Sequence, residues 1–402
     1  MPTVHPAAPI QRAAAKWLLA LTIGLILYAS FYPFNWQWER LSHADRGGFP
    51  SSLPWGATMR SDVVANLLFY IPLGALLLAI RTAQQSAIRA LVSTVALGTA
   101  LSVSVEFLQY AAPPRTPSLT DVLLNAASTA LGALAYLWAR RGAAIPQLRG
   151  RAFDPALLML LALWAAFHAA PFFPSLRLSQ IYRSIQPLLE LEFSFGGTAR
   201  YLAGYLLLSA ALRALVKREN FWIAFGVAIG LSLASRVLVV GQSLNPSELL
   251  GLALAMPIIV ALRDLPHRRA ALPVLLLVVC AWYVYALAPF DFINRGAEFR
   301  WIPFYGFLEN DWGRAYVQFF EKTYLYLGFV WLAVHAGLRV RTAVVLGASI
   351  ALTIEFVQRY LPGRVAEMTD PVMLALCGLL VAMTPRALTE RERGRSVRDG
   401  LT

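Results

Sequence analysis

Thiols, histidines and charge are all scarce in this chain. Its two cysteines, Cys280 and Cys377, stand far apart in apolar runs, which excludes a disulfide framework and a thiolate metal site. Both are expected as buried structural thiols. The five histidines, His5, His43, His168, His267 and His335, are dispersed, and no HExxH, G-x-S-x-G or P-loop pattern occurs, so neither a metal nor a cofactor is expected. Charged residues make up only 14% of the sequence, too little for the surface of an ordinary soluble domain. The short alternating segments of a transmembrane β-barrel are missing as well.

What fills the chain instead is hydrocarbon. Of 402 residues 58% are hydrophobic and the mean hydropathy is +0.57. Apolar runs of roughly 17 to 20 residues, the length that crosses a bilayer core, recur almost throughout. The pattern predicts an all-α polytopic membrane protein with about twelve transmembrane helices, near 13–33, 61–80, 87–110, 119–139, 155–173, 199–216, 220–240, 247–263, 271–290, 322–338, 341–360 and 368–385. No obvious small-residue cleavage site follows the first helix before the outer loop, so that helix reads as retained. A net charge of +13 does not point to nucleic acid, because the arginines and lysines gather at both ends and at every second connection. By the positive-inside rule those places are cytoplasmic, and so are both termini.

One polar signature occurs twice. Glu106-Phe107, Gln109, Pro113, Arg115 and Thr120-Asp121 return in the same spacing as Glu355-Phe356, Gln358, Pro362, Arg364 and Thr369-Asp370. Polar groups inside apolar segments are costly, so their reuse implies a structural or functional need. The middle of the chain repeats the scaffold without the motif: Leu233, Arg236, Gln242 and Ser247-Glu248 stand where Glu106, Gln109, Arg115 and Thr120-Asp121 would be. An aromatic-proline exit also recurs, at Tyr32-Pro33-Phe34, Ala170-Pro171-Phe172 and Ala288-Pro289-Phe290. The expected organisation is three parallel four-helix repeats, residues 1–145, 146–267 (degenerate) and 268–386, followed by a basic cytoplasmic tail, 387–402. An even helix count per repeat keeps every copy in one orientation, unlike inverted transport repeats.

With that topology Glu106, Gln109, Arg115, Asp121 and Asn125 fall at the outer ends of the third and fourth helices, with Asp62 and Asn66 at the outer start of the second. Glu106 and Gln109, and Asp121 and Asn125, are helical neighbours. These residues are expected to line a polar, outward-opening pocket. Glu355, Gln358, Arg364 and Asp370 would line another. Glu106 and Asp121 are the candidates for acid or base work, and the arginines for bidentate contact with a phosphate or carboxylate. A purely structural reading stands beside these: Glu106 with Arg115 and Glu355 with Arg364 as ion pairs, and Asp121 and Asp370 as helix caps. Glu106 and Glu355 fit capping poorly, being near helix C-termini. In 177–192 the apolar stripe Leu178, Ile181, Ile185 and Leu188 suggests an interfacial or re-entrant helix. Gly226 and Gly230 suggest close helix packing.

The first repeat resembles the VanZ-like family of bacterial membrane proteins, through Tyr28, Pro33-Phe34, Asp62, Asn66, Phe69, Pro72-Leu73-Gly74, Glu106, Gln109, Arg115, Asp121, Asn125 and Gly132. Residues 271–385 resemble it again, but Asp62 and Asn66 have no clear counterparts there and Leu374 replaces Asn125. The resemblance implies a cell-envelope role, since the family takes its name from a protein giving low-level resistance to teicoplanin. The function expected is recognition or handling of an amphipathic molecule, lipid-linked or a lipoglycopeptide, at the outer face of the inner membrane, with a contribution to glycopeptide resistance. An envelope enzyme transferring a group on an outer-leaflet lipid, and a structural or partner-binding scaffold, are the alternatives. Membrane lipids are the expected partners.

Overall fold

The computed structural model describes residues 9–41, 53–55, 60–81, 86–113, 115–143, 154–309 and 312–382. Among them there are fourteen α-helices and no β-strand, only two isolated bridges. A helix lies over each of the twelve predicted segments: α1 (Pro9–Phe31), α2 (Arg60–Arg81), α3 (Ala87–Gln109), α4 (Leu119–Ala143), α5 (Pro155–Ala169), α7 (Phe195–Leu215), α8 (Phe221–Leu238), α9 (Pro246–Ala261), α10 (His267–Leu287), α12 (Trp312–His335), α13 (Val340–Gln358) and α14 (Thr369–Ala382). The other two, α6 (Leu178–Glu190) and α11 (Tyr305–Glu309), lie in the segments ahead of α7 and α12.

Among the described residues four stretches, Ala87–Gln109, Arg218–Leu238, His267–Leu287 and Val340–Gln358, are long and apolar enough to cross a membrane by length and composition, and Ala15–Phe31, Asn66–Arg81, Ala156–Ala169, Pro246–Ala261 and Thr369–Ala382 are shorter apolar helical stretches. The protein is a helical membrane protein. Its residues form two compact units, Met1–Ala152 and Phe153–Thr402.

In the first unit α2 packs along α4, and glycine permits the approach. A β-carbon on Gly74 would lie 2.0 Å from the Thr129 carbonyl oxygen, and one on Gly132 would lie 1.9 Å from that of Ile71. Small residues at such crossings let two backbones touch, which is how helices associate where lipid removes any hydrophobic drive. The apolar core beneath consists of Ile26, Phe31, Tyr70, Leu73, Val105 and Ala112. In the second unit α7 runs through the packing, with Tyr205, Leu206, Leu207 and Leu208 all essentially inaccessible.

One backbone arrangement recurs at three places. α1, α5 and α10 each end near a cis X-Pro peptide whose following phenylalanine is left-handed: Phe34 (φ 64), Phe172 (φ 65) and Phe290 (φ 67). The chain leaving each one is then tied to the end of a later helix. Gln37 N–H donates to the Ala111 carbonyl at 2.7 Å, Ser175 N–H to Leu238 at 2.7 Å, and Ile293 N–H to Tyr360 at 2.8 Å. Ala111, Leu238 and Tyr360 are equivalent positions in the sequence register set by Glu106, Leu233 and Glu355.

Three expectations need correction. Cys280 is exposed, while Cys377 is buried. Gly226 and Gly230 bring no helix close, since a β-carbon on either would meet nothing within 4 Å. The stripe on α6 is also displaced. The helix turns Gln180 and Ser184 inward, where they donate to the Val239 and Gln242 carbonyls at 3.3 and 3.1 Å. Leu178, Tyr182, Ile185 and Leu189 point outward, and Ile181 and Leu188 are half-buried.

Candidate functional site

The motif residues of the first unit meet at the ends of α1 to α4. Glu106, in the last turn of α3, is 3% exposed, and its carboxylate accepts the Ser118 N–H at 2.8 Å. That bond closes the loop ahead of α4. Gln109, one turn further along α3, donates to the Ser30 carbonyl at 3.3 Å. Arg115 donates from Nη2 to the Ala29 carbonyl at 3.0 Å and from Nε to that of Tyr32 at 3.3 Å. These are C-terminal carbonyls of α1 and the turn that follows it, left open by the helix and favoured by a cation.

On the neighbouring helices Asn66 donates to Asp121 Oδ1 at 3.3 Å. One turn further into α4, Asn125 donates to Ser102 Oγ at 2.9 Å, and its own amide oxygen is buried without a hydrogen-bond partner. The buried Tyr70 faces the same acids. Asp62 lies on α2, with its side chain outside the described residues. The geometry thus separates the motif in two: Gln109 and Arg115 hold the end of α1, while Asn66, Glu106, Asp121 and Asn125 form a mostly buried polar cluster between α2, α3 and α4.

The second occurrence of the motif, at the end of α13 and the start of α14, uses the same plan. Glu355 is 1% exposed and accepts the Glu367 N–H at 2.8 Å, twelve residues on, as Glu106 does. Gln358 donates to the Ala286 carbonyl at 2.8 Å, and the exposed Arg364 to that of Ala288 at 3.4 Å. Where Asn66 approaches Asp121, Lys322 of α12 approaches Asp370, with Nζ to Oδ1 at 2.6 Å. Leu374 at the position of Asn125 is fully buried. Glu367, outside the helices, accepts the Gly306 N–H at 2.8 Å, and burial pushes its carboxyl above the usual range.

The ion pairs expected between Glu106 and Arg115 and between Glu355 and Arg364 are replaced by these separate bonds to the backbone. Capping is corrected too. α4 starts at Leu119 and α14 at Thr369, so Asp121 and Asp370 lie inside the first turn, in a place suited to an anion, and reach side chains of α2 and α12.

The middle of the chain, read from sequence as bare of chemistry, holds a dense buried cluster. Glu248, at the position of Asp121, is inaccessible. It accepts from Arg236 Nε at 3.1 Å and from the Tyr205 hydroxyl at 3.4 Å, and lies 3.2 Å from His168 Nε2. His168 Nδ1 is 2.9 Å from the Trp164 carbonyl, which can only accept. Nδ1 therefore carries a proton, and the Nε2 contact needs a second one, on the imidazole or on Glu248. Arg236 also donates to Gln242, whose amide donates to the Ala170 carbonyl at 2.5 Å. Gln242 thus performs the task of Arg115 and Arg364, since all three reach the carbonyl just before the proline. His168, Arg236 and Glu248 sit on three different helices, so no local motif announces them. The repeat register, which sets Glu248 against Asp121, was the available signal. Lys322 was missed because the sequence places it at the very start of a span. Among the described residues no group of His, Cys, Asp and Glu is arranged to hold a metal.

Residues 18–140, which run from α1 into α4, match the family model described as VanZ/LLP1. No curated protein and no solved structure gives a match.

Proposed function

We propose that this protein is a multi-pass inner-membrane protein of the bacterial cell envelope that recognises an amphipathic molecule, lipid-linked or a lipoglycopeptide, at the outer face. Twelve spanning helices in three parallel four-helix copies, with both termini in the cytoplasm, accommodate the even helix count and the basic residues at alternate connections. The thrice-repeated tie from the proline exit to the end of a later helix supports the copies. Family likeness supports the envelope setting and a contribution to glycopeptide resistance.

The observation that carries the reading is the cluster in the VanZ-like unit of buried Glu106 and Asn125 with half-buried Asn66 and Asp121, in which the amide oxygen of Asn125 is unmatched. Buried polar groups are nearly always paired, and an unpaired one needs a reason. In the third copy Lys322 supplies an ammonium where the first has Asn66, and Leu374 replaces Asn125, so the first copy is the one suited to an exchangeable ligand. Gln109, Arg115, Gln358 and Arg364 serve that site by holding its walls. The test is mass spectrometry of lipids retained by gently purified wild-type protein and by Glu106→Gln and Asn125→Leu variants at equal folded yield. A specific lipid or glycolipid lost from both variants is the expected result. The same bulk lipid on all three proteins refutes the site.

A further inference from the structure

Within the second unit a polar pair adjoins the Arg236–Glu248 cluster, sharing with it the Tyr201 hydroxyl, to which Arg236 Nη2 donates at 3.4 Å. Arg200 of α7 donates from Nη1 to Glu321 Oε2 of α12 at 3.3 Å. Its Nη2 bonds the Tyr201 hydroxyl at 2.8 Å, and its guanidinium lies over the rings of Tyr201, Tyr285 and Phe167 at 4.6, 5.7 and 5.8 Å. Two atoms of the pair are left over: Arg200 Nε, a donor, and Glu321 Oε1, an acceptor, are both buried without partners. The two residues border a cavity of ≈ 30 Å³ walled by Trp164, Trp282, Tyr285 and Tyr324. The Glu321 side chain is 9% exposed and that of Arg200 is 29% exposed, so the pair is sealed at its acid and reaches the surface at its guanidinium.

We propose that this cavity binds the zwitterionic headgroup of a phospholipid bearing a primary amine, with the ammonium at Glu321 and the phosphate at Arg200. Charge selects the class. Arg200 and Glu321 offer a spare donor on a cation and a spare acceptor on an anion, and a zwitterion matches both at once, whereas a net anion or cation answers only one of them. Hydrogen bonding selects within the class, because Glu321 Oε1 lacks a donor. An –NH₃⁺ group supplies one and a trimethylammonium does not. The aromatic walls favour a cation over their faces, and the phosphate is placed where Arg200 meets the surface. The site is separate from that of the first copy and shares with it only the reading of these helix ends as the outer face.

The experiment uses the full chain in nanodiscs containing equal amounts of phosphatidylethanolamine, phosphatidylcholine and phosphatidylglycerol, followed by mass spectrometry of the lipid that remains bound. Phosphatidylethanolamine should be enriched by about tenfold over phosphatidylcholine, the worth of one charge-assisted hydrogen bond. Successive N-methylation of the headgroup should erode that preference in steps. Glu321→Gln should abolish it, and Arg200→Lys should weaken retention of every phospholipid. The methylation series uses wild-type protein, so it decides the matter even where a variant fails to fold. Soluble phosphoethanolamine added as competitor assigns the source: displacement means the headgroup suffices, and none means the acyl chains are needed, the ammonium chemistry standing in both cases. Equal retention of the three lipids, or an unchanged preference in folded Glu321→Gln, overturns the proposal and leaves the cavity to water.

Discussion

Replacing Arg115 separates its work as a fastener from any contact with a ligand. The side chain gives two hydrogen bonds to carbonyls of α1 and its turn, at 3.0 and 3.3 Å. A hydrogen bond with a charged partner contributes roughly 1.5–3 kcal/mol. The guanidinium is only half-buried, so water competes for it and each bond is reduced to about 1 kcal/mol, below that range. Arg115→Ala should then cost about 2 kcal/mol in total. The middle of the chain performs the corresponding substitution naturally, since Gln242 reaches the Ala170 carbonyl with an amide. Arg115→Gln should therefore keep one neutral bond and lose only about 1 kcal/mol. The assay is reversible unfolding in mixed micelles by steric trapping or denaturant titration, with lipid retention measured on the same preparations. An order of stability wild type, then Gln, then Ala is expected. If Arg115→Ala is as stable as wild type, the fastener argument is wrong. If Arg115→Gln matches wild type in stability but loses its lipid, the arginine contacts the ligand as well.

Gly132→Val should abolish folded yield, because its first side-chain carbon already falls 1.9 Å from the Ile71 carbonyl oxygen, and size-exclusion chromatography of the solubilised protein checks it. Lys322→Met should destabilise by about 3–5 kcal/mol by stranding Asp370, whereas Lys322→Met with Asp370→Asn should recover much of that loss; a double-mutant unfolding cycle tests the recovery. Glu367 has a folded pKa above its unfolded value. Its contribution is therefore full below the ordinary glutamate value of about 4.3 and is lost as pH rises through the raised folded value. Glu367→Gln should flatten that part of the stability profile, and an unchanged pH dependence in the variant would count against it.

The helices were legible because lipid demands long apolar runs, and run length is a property of sequence. The glutamates were legible as exceptions, since an anion near a helix C-terminus opposes the dipole. The roles of the arginines were not legible. Sequence supplies a guanidinium but not its acceptor, and the carbonyls that hold Arg115 lie more than eighty residues upstream. The displaced stripe on α6 fails for a related reason: the period of apolar residues was visible, but the pull of the Val239 and Gln242 carbonyls on Gln180 and Ser184 was not. The middle cluster escaped notice because its acid, base and guanidinium come from separate helices. Each looks like an isolated polar residue until the chain folds.

α6 turns Gln180 and Ser184 to the protein, and presents Leu178, Tyr182, Ile185 and Leu189 to the surroundings beside the charged Arg183 and Glu190, as a helix lying at an interface does. At a bilayer surface, each large outward side chain gains roughly 1.5–3 kcal/mol on leaving water, and Leu178, Ile185 and Leu189 all qualify. Without lipid or detergent that gain disappears while the cost of ordering the segment remains. The connection between α5 and α7 is thus folded by its solvent as much as by its sequence, and its order registers whether the protein is in a membrane.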